Sequence, residues 1–310
     1  MELRDIEYFS VIAEHGHLGR AAESLGLSQP ALSMSLRRLE KSMQAKLVKR
    51  TPKGVELTAV GAALLSRVDR LRLSMSDVAR EAADLSQGRA GDLRIGAAPE
   101  FAEFLLPPAL GVLFKSAPKV TAKVMVAAPD VLLPALQGGE LDVVIRGIAS
   151  GPFPDLIHEP LFDDEFVVVS AVNHRLAGQE SVTIADLGQE RWTVSGASVL
   201  SWKWLQAMFR EHNLPPPVLA LDSNSAWLRL LTIASSDLLG FSSRRFVTQV
   251  AAHFPLTVLR VQEATWARHI GVIYRRDAYL PPALVRLIEI LKTTARRITA
   301  EKPPAEGGEY

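Results

Sequence analysis

The chain has 310 residues, is 48% hydrophobic and 22% charged, and contains no cysteine, so disulfides and thiolate metal sites are excluded. It has no apolar run of about 18 residues to cross a bilayer, and Met1-Glu2-Leu3-Arg4-Asp5 places acids where a secretory signal needs a basic start. A cytoplasmic protein of two or three domains is therefore expected, and its net charge of +1 hides an asymmetry: eight Lys/Arg against three acids between Arg20 and Thr58 leave that segment at +5 and the remainder at −4.

Residues 3–56 read as short helices and tight turns. Ile6, Phe9 and Ala13 share one face of a first helix that ends near Gly16, and a short second helix runs over 20–25 to Gly26. The third opens at Ser28-Gln29-Pro30, a cap residue followed by a proline in the first turn, where the missing N–H costs nothing. Leu32, Leu36, Leu39 and Met43 recur along it with core spacing, which leaves Gln29, Ser33 and Arg37 on the wet face. A stripe of Gln, Ser and Arg suits phosphates and base edges in a major groove. Residues 47–53 and 55–57 then flank Pro52-Lys53-Gly54 as a hairpin with a basic tip.

A long helix follows. Leu57, Gly61, Leu64, Val68, Leu71, Met75, Val78, Ala82 and Leu85 alternate in steps of four and three, an a/d heptad seam with Gly88 as its stop. Such a seam implies self-association, with Leu64, Val68, Leu71, Met75 and Val78 at its centre; packing on the chain's own core is the competing reading. From Gly91 onward, short apolar strands (92–97, 120–126, 141–145, 165–170, 192–195, 238–242, 256–261 and 269–274) alternate with helices at 101–114, 131–137, 200–212, 226–234 and 282–297. That alternation predicts an α/β region with parallel sheets, long enough for two lobes. The tail 301–310, with Pro-Pro and Gly-Gly, reads as disordered.

The stretch Ala21-Ala22-Glu23-Ser24-Leu25-Gly26-Leu27-Ser28-Gln29-Pro30-Ala31-Leu32-Ser33 closely resembles the LysR-type transcriptional regulators. Leu36-Arg37-Arg38-Leu39-Glu40, Leu47-Val48-Lys49-Arg50 and Leu57-Thr58-Ala59-Val60-Gly61 continue the likeness over the first 65 residues or so. The resemblance implies a multidomain α and α/β protein. Its parts would be a winged helix-turn-helix over 1–58, a dimerisation linker helix over 59–88 and a two-lobed effector domain over 89–300. That last domain would be α/β and periplasmic-binding-protein-like (type 2), with lobe 1 at about 91–166 and 270–300 and lobe 2 at about 167–269. Strands crossing between the lobes are expected near 166–170 and 265–270. Family members usually assemble as tetramers on interrupted palindromic DNA, so DNA, a small-molecule effector, further copies of the chain and RNA polymerase are the implied partners.

Carried over residue by residue, the likeness puts Ser28, Gln29, Pro30, Ser33 and Arg37 on the recognition helix and Arg50 at the wing. Arg20, Lys49 and Lys53 join the phosphate-contacting set, and Arg38, nearer Glu40 and the helix shoulder, stands between a DNA contact and a helix pair. Where the family usually has a Ser/Thr cap before the second helix this chain has Leu18-Gly19, so a glycine cap is expected.

In doubly wound sheets ligands sit beyond the carboxyl ends of strands, which selects Pro99, Glu100 and Phe101, Ala128, Arg146, and Ser195, Gly196 and Ser198. Glu100 there opposes an anionic effector unless Arg146 compensates; the alternative is that Glu100 complements a helix dipole and pairs with Arg146. Trp202, Trp204 and Trp227 are read as cleft lining or, alternatively, as core. His15-x-His17 lacks acidic or thiol partners, and Ser116-Ala117-Pro118-Lys119 matches S-x-x-K without the motifs that accompany it in enzymes. Neither a catalytic site, a metal nor a cofactor is expected, and an enzyme or a solute-binding protein are the competing classes.

Overall fold

The computed structural model describes residues 2–52, 54–87, 91–148, 153–195 and 200–300, in two units, Met1–Ala79 and Arg80–Tyr310. Lys53, Gly88, Gly196, Ser198 and the 301–310 tail, all singled out above, lie outside the described residues.

In the first unit α1 (Leu3–His15), α2 (Leu18–Ser24) and α3 (Gln29–Met43) precede a hairpin of β1 (Val48–Thr51) and β2 (Gly54–Leu57). Phe9, Ile12, Leu18, Ala21, Ala22, Leu32, Leu36, Leu39 and Leu47 form its buried core. The apolar spacing of α3 thus faces inward, and the polar stripe is left outside. The second helix starts two residues earlier than expected and is not glycine-capped. His17 caps it, its Nδ1 accepting the Gly19 N–H at 3.1 Å, and Leu18 is buried as the first helical residue.

The long helix α4 (Ala59–Gln87) is launched by Thr58. The Thr58 hydroxyl accepts the Gly61 N–H at 3.0 Å and donates to the Lys46 carbonyl at 2.6 Å, while the Thr58 N–H donates to the Leu47 carbonyl at 3.0 Å. Gly61 must be glycine, because a Cβ there would stand 2.0 Å from the Leu47 carbonyl oxygen. Its place in the heptad spacing therefore reflects packing within the chain. Val68 is buried, whereas Leu71, Met75, Val78 and Leu85 are 50, 57, 64 and 79% exposed.

The second unit begins in the last turns of α4. There Arg80 donates to both carboxylate oxygens of Asp142, at 2.6 and 3.2 Å, and Arg94 adds its own guanidinium at 2.6 Å and its backbone N–H at 2.9 Å. These hydrogen bonds hold the Asp142 carboxyl below its usual range although burial pushes it up.

Beyond α4 come β3 (Asp92–Ala97), α5 (Pro99–Phe104), α6 (Leu106–Ser116), β4 (Thr121–Val126), α7 (Pro129–Gln137), β5 (Val143–Gly147) and β6 (Leu156–Ala171). They are followed by β7 (Arg191–Val194), α8 (Leu200–Glu211), β8 (Val218–Asp222), α9 (Ala226–Ala234), β9 (Leu239–Ser243), α10 (Arg244–Ala251), β10 (Leu256–Val258), β11 (Trp266–Arg275) and α11 (Pro282–Ala300). The strands lie in the order β4-β3-β5-β11-β6-β9-β7-β8, with β10 on β6.

The sheet is mixed rather than parallel throughout. The triplets β4-β3-β5 and β9-β7-β8 are parallel, and the antiparallel pair β11–β6 stands between them. β6 runs for 16 residues where the apolar pattern marked only its last third, since its first half mixes apolar and charged residues without alternation; it pairs along β11. The helix expected over 101–114 is two, because Pro107-Pro108 open a fresh helix after Leu105. β8 and α10 were not anticipated. β8 is an exposed edge strand without alternation, and α10 hides its apolar face (Phe246, Val247, Val250) behind Arg244-Arg245.

Gly61→Ala is expected to destabilise the first unit by about 1–3 kcal/mol, the usual cost of forcing a methyl against fixed backbone. Urea unfolding of the full chain measures it, and an unchanged midpoint would contradict the close approach.

Candidate functional site

The outer face of α3 carries the first site. Ser28 is its N-cap, the hydroxyl accepting the Ala31 N–H at 3.4 Å, so this side chain orients the helix rather than pointing into solvent uncommitted. Gln29, Pro30 and Arg37 are exposed, Ser33 is half-buried, and Arg20 on α2 is exposed as well. Met34, which sequence reasoning left unassigned, is 60% exposed on the same helix.

The cations divide by what they already hold. Lys49 faces Glu56 across the hairpin, with an ion pair at 2.8 Å, whereas Arg50, opposite Val55, is exposed and has no ion-pair partner among the described residues. Arg37 likewise has none. Arg38 does not pair with Glu40 but with Asp5 of α1, at 2.7 Å. Asp5 is buried and also accepts the Ser35 hydroxyl at 2.5 Å. Burial pushes its carboxyl up, but the bonds from Arg38 and Ser35 outweigh this and hold it below the usual aspartate range. Glu40 is buried instead against the start of the wing, accepting the Leu47 N–H at 3.0 Å and the Lys46 ammonium at 2.6 Å. Two buried carboxylates therefore fix α3 against α1 on one side and against the hairpin on the other. The sequence offered no periodic signal for either, since both acids lie within polar stretches.

The second site lies in the second unit. Pro99, Glu100, Phe101, Ala128, Arg146 and Ser195 converge on one small cavity of about 20 Å³, together with Ala98, Pro129, Gly147, Phe166, Ser201 and Arg268. The strand-end rule thus picked loops that the fold does bring together, but it missed Arg268 and Phe166, which come from the crossing strands β11 and β6. Arg268 lies over the rings of Phe166 and Trp266, 4.9 and 4.7 Å from their centroids. Trp266 stacks on Trp204, which stacks on Phe241. Trp202 is buried core, and Trp227, 40% exposed, meets Phe246 and Phe254 edge-on; neither reaches the cavity.

Glu100 does not pair with Arg146. It is buried and bonded at 2.8 Å to Arg229 of α9, a residue that sequence reasoning missed because it sits in an apolar helix. Arg146 is buried, and its Nε donates to the Gly147 carbonyl at 2.8 Å. Burial, with the Arg268 charge second, pulls its pKa down to about 10. Beside Glu100, burial and the Glu100 charge push Glu103 up to about 7, against Arg229 and two backbone amides of α9. One Glu103 oxygen, Oε2, is buried without a hydrogen-bond partner. Among the described residues no cluster of three His, Asp or Glu could hold a metal ion, and no helix is long and apolar enough to cross a membrane.

With these geometries in place, comparison with known proteins is direct. The model of the bacterial regulatory helix-turn-helix protein, lysR family, matches residues 3–62, and that of the LysR substrate binding domain matches residues 86–296. The HTH-type transcriptional regulator GbpR of Azospirillum brasilense is 27% identical over all of this chain and 92% of its own length. The DNA-binding transcriptional dual regulator OxyR of Escherichia coli is 32% identical over 62% of each chain, so that match spans under two thirds of that relative. Among solved structures, full-length CbnR complexed with its target DNA has a TM-score of 0.58 at 20% identity, covering 95% of this chain and all of that one. The regulatory domain of Synechocystis CcmR in complex with 2-PG has a TM-score of 0.58 at 21% identity, covering 66% of this chain and 98% of that one. At these identities the structures establish a shared fold.

Glu103 gives a pH signature. The folded chain keeps its proton up to about pH 7, whereas an ordinary glutamate releases it near 4.5, so this group's contribution to stability falls as pH rises between those values. Glu103→Gln is expected to flatten the dependence of melting temperature on pH over that window and to raise the melting temperature at pH 8. Parallel curves for the two proteins would show that the carboxyl ionises normally.

Proposed function

Because this chain belongs to the LysR family of bacterial transcriptional regulators, we propose that it grips operator DNA through α3 and the hairpin and is controlled by a small molecule bound at the cavity around Arg146. The observation that carries the DNA half is the exposed row of Gln29, Pro30 and Arg37 on a helix locked in place by buried Asp5 and Glu40. Gln29 and Ser33 read base edges, each good contact discriminating by ~1–3 kcal/mol. Arg37, Arg50, Arg20 and Lys53 neutralise phosphates. Arg38 and Lys49 contribute less, because each is already paired with a carboxylate. Ser28 acts through the helix cap.

The domain reading that goes with this is a winged helix-turn-helix over 1–58, a linker helix over 59–88 and an effector domain over 89–300. The exposed Leu71, Met75 and Val78, continuing from Leu64 and Val68, form the seam by which two copies pair, and a tetramer follows from pairing of such dimers. The protein works in the cytoplasm and acts on transcription through RNA polymerase. Control is by binding rather than by thiol chemistry. Several relatives are named hydrogen peroxide-inducible genes activators, but this chain has no cysteine to oxidise.

Fluorescence anisotropy on DNA from upstream of its own gene, against random DNA and over a salt series, tests the reading. Arg50→Ala is expected to weaken both affinities alike and to reduce the salt slope by about one, whereas Gln29→Ala changes the preference between sequences. Equal losses on both DNAs for both variants would overturn the division. Met75→Asp places a charge in the seam and is expected to shift the full chain towards monomer in sedimentation at micromolar concentration; an unchanged mass would remove the seam from the assembly.

A further inference from the structure

The cavity around Arg146 is short of negative charge. Arg146 is 3% exposed and carries no carboxylate partner among the described residues; its Nε donates to the Gly147 backbone carbonyl. Arg268 lies close enough that its charge lowers the pKa of Arg146. Among the described residues it has no ion-pair partner; the Glu100 and Asp164 charges reach it only through space, and the rings of Phe166 and Trp266 support it. Of the nearby acids, Glu100 is bonded to Arg229, Glu103 lies on the same side as Glu100, and Asp164 is hydrogen-bonded to the Ser243 hydroxyl at 2.5 Å and to the Glu165 N–H at 2.9 Å. His158, the other titratable neighbour of Arg146, is held towards its neutral form by burial and by the Arg146 charge.

Two guanidiniums in a desolvated site with no bonded counter-charge cost free energy that a fold does not retain for packing alone. An anion between them would remove that cost, and the planar forks suit carboxylate and oxyanion geometry. We propose that Arg146 and Arg268 form a two-arginine clamp for a small carboxylate or oxyanion, which is the effector class of this cleft. The inference rests on the cavity's being the effector site, as read above.

The clamp is closed in this structure. The cavity of about 20 Å³ is little more than the ~10–15 Å³ that holds one water, so an anion of several atoms does not enter without movement. What fills the space is Arg268: a Cβ on Gly147 would lie 1.9 Å from its Nη2, so the guanidinium rests directly on that glycine. An entering anion therefore takes the Gly147 shelf and re-aims Arg268. Glu100 is bonded to Arg229 and acts on Arg268 only through space, so it does not occupy the clamp. Arg268 belongs to β11, the strand paired with both β5 and β6, so its movement is felt where the two halves of the sheet meet.

The test uses the full chain with acetate, oxalate, phosphate and sulfate against acetamide and oxamide as neutral counterparts, read by thermal unfolding and calorimetric titration. At least one anion is expected to raise the melting temperature where its neutral counterpart does not. Arg146→Met should lower the affinity for that anion roughly 10- to 100-fold. Without ligand, the variant should melt at or above the parent temperature, since a like-charge contact is gone. Arg268→Gln, with its guanidinium at a half-buried position, provides the same readout if the first variant does not fold.

The clamp is overturned if amides stabilise as well as anions, if anion binding survives both substitutions, or if no anion binds and Arg146→Met lowers the melting temperature. Binding of the neutral compounds alone, sensitive to Arg146→Met, would overturn the anionic class yet leave the cavity as the effector site. Failure of salt-dependent DNA binding would instead strike at the regulator reading itself.

Discussion

The antiparallel pairing of β6 with β11 is the constraint on which the second unit depends. Two parallel triplets, β4-β3-β5 and β9-β7-β8, each have only three strands and would be separate small sheets without it. β11 pairs with β5 over Ile270–Ile273 and with β6 from Trp266 to Arg275, and β6 then passes to β9 over Phe166–Val169. A register shift at Ile270/Gly271 bends the pair where it changes partners. The cavity forms beside that bend, which explains why its lining draws on both triplets. Arg146 comes from β5, Ser195 follows β7, and Phe166 and Arg268 come from the joining strands themselves.

The first unit follows a different rule, in which buried charge sets the position of an exposed helix. Asp5 and Glu40 are each almost wholly buried, and each is satisfied by two donors from other elements. Removing one partner of such a pair usually costs more than the pair contributes, because a desolvated carboxylate is left behind. The orientation of α3 is thereby tied to α1 and to the strand that starts the hairpin. Arg38 and Lys49, cations that composition alone would assign to a polyanion, are partly spent on neutralising acids of the same fold.

What was legible in the sequence is what periodicity and spacing report. The core face of α3, the helix from Ala59, and the ends of β3, β5 and β7 where the cavity forms all follow from apolar patterns and strand-end rules. Long-range pairing left no such mark. Arg229 lies 129 positions from Glu100, and Arg80 lies 62 from Asp142, so neither bond has a local signature. Arg268 is similarly hidden in a polar-looking stretch of β11, whose first half alternates between exposed and half-buried. The heptad spacing illustrates the opposite hazard. Gly61 fits the seam by count, yet its contact with the Leu47 backbone is internal, while Leu71, Met75 and Val78 fit the same count and remain uncovered.

The geometry also links the strand that carries Arg146 to the last turns of α4. Asp142, which receives Arg80 of α4 and Arg94 of β3, stands at the residue before β5, the strand that carries Arg146. Arg146 therefore cannot be re-aimed by a backbone shift of β5 without loading the bonds at Asp142, whereas a side-chain rearrangement confined to Arg268 leaves them untouched. The two routes differ in consequence. A ligand changes the state of a protein only by its differential affinity for two arrangements, so it must act on an element that has two. Arg268, resting on a glycine and held by ring faces rather than by a carboxylate, is the group in this cleft with least to lose by moving. Asp142, buried and bonded to two guanidiniums, is the fixed point against which that movement is measured.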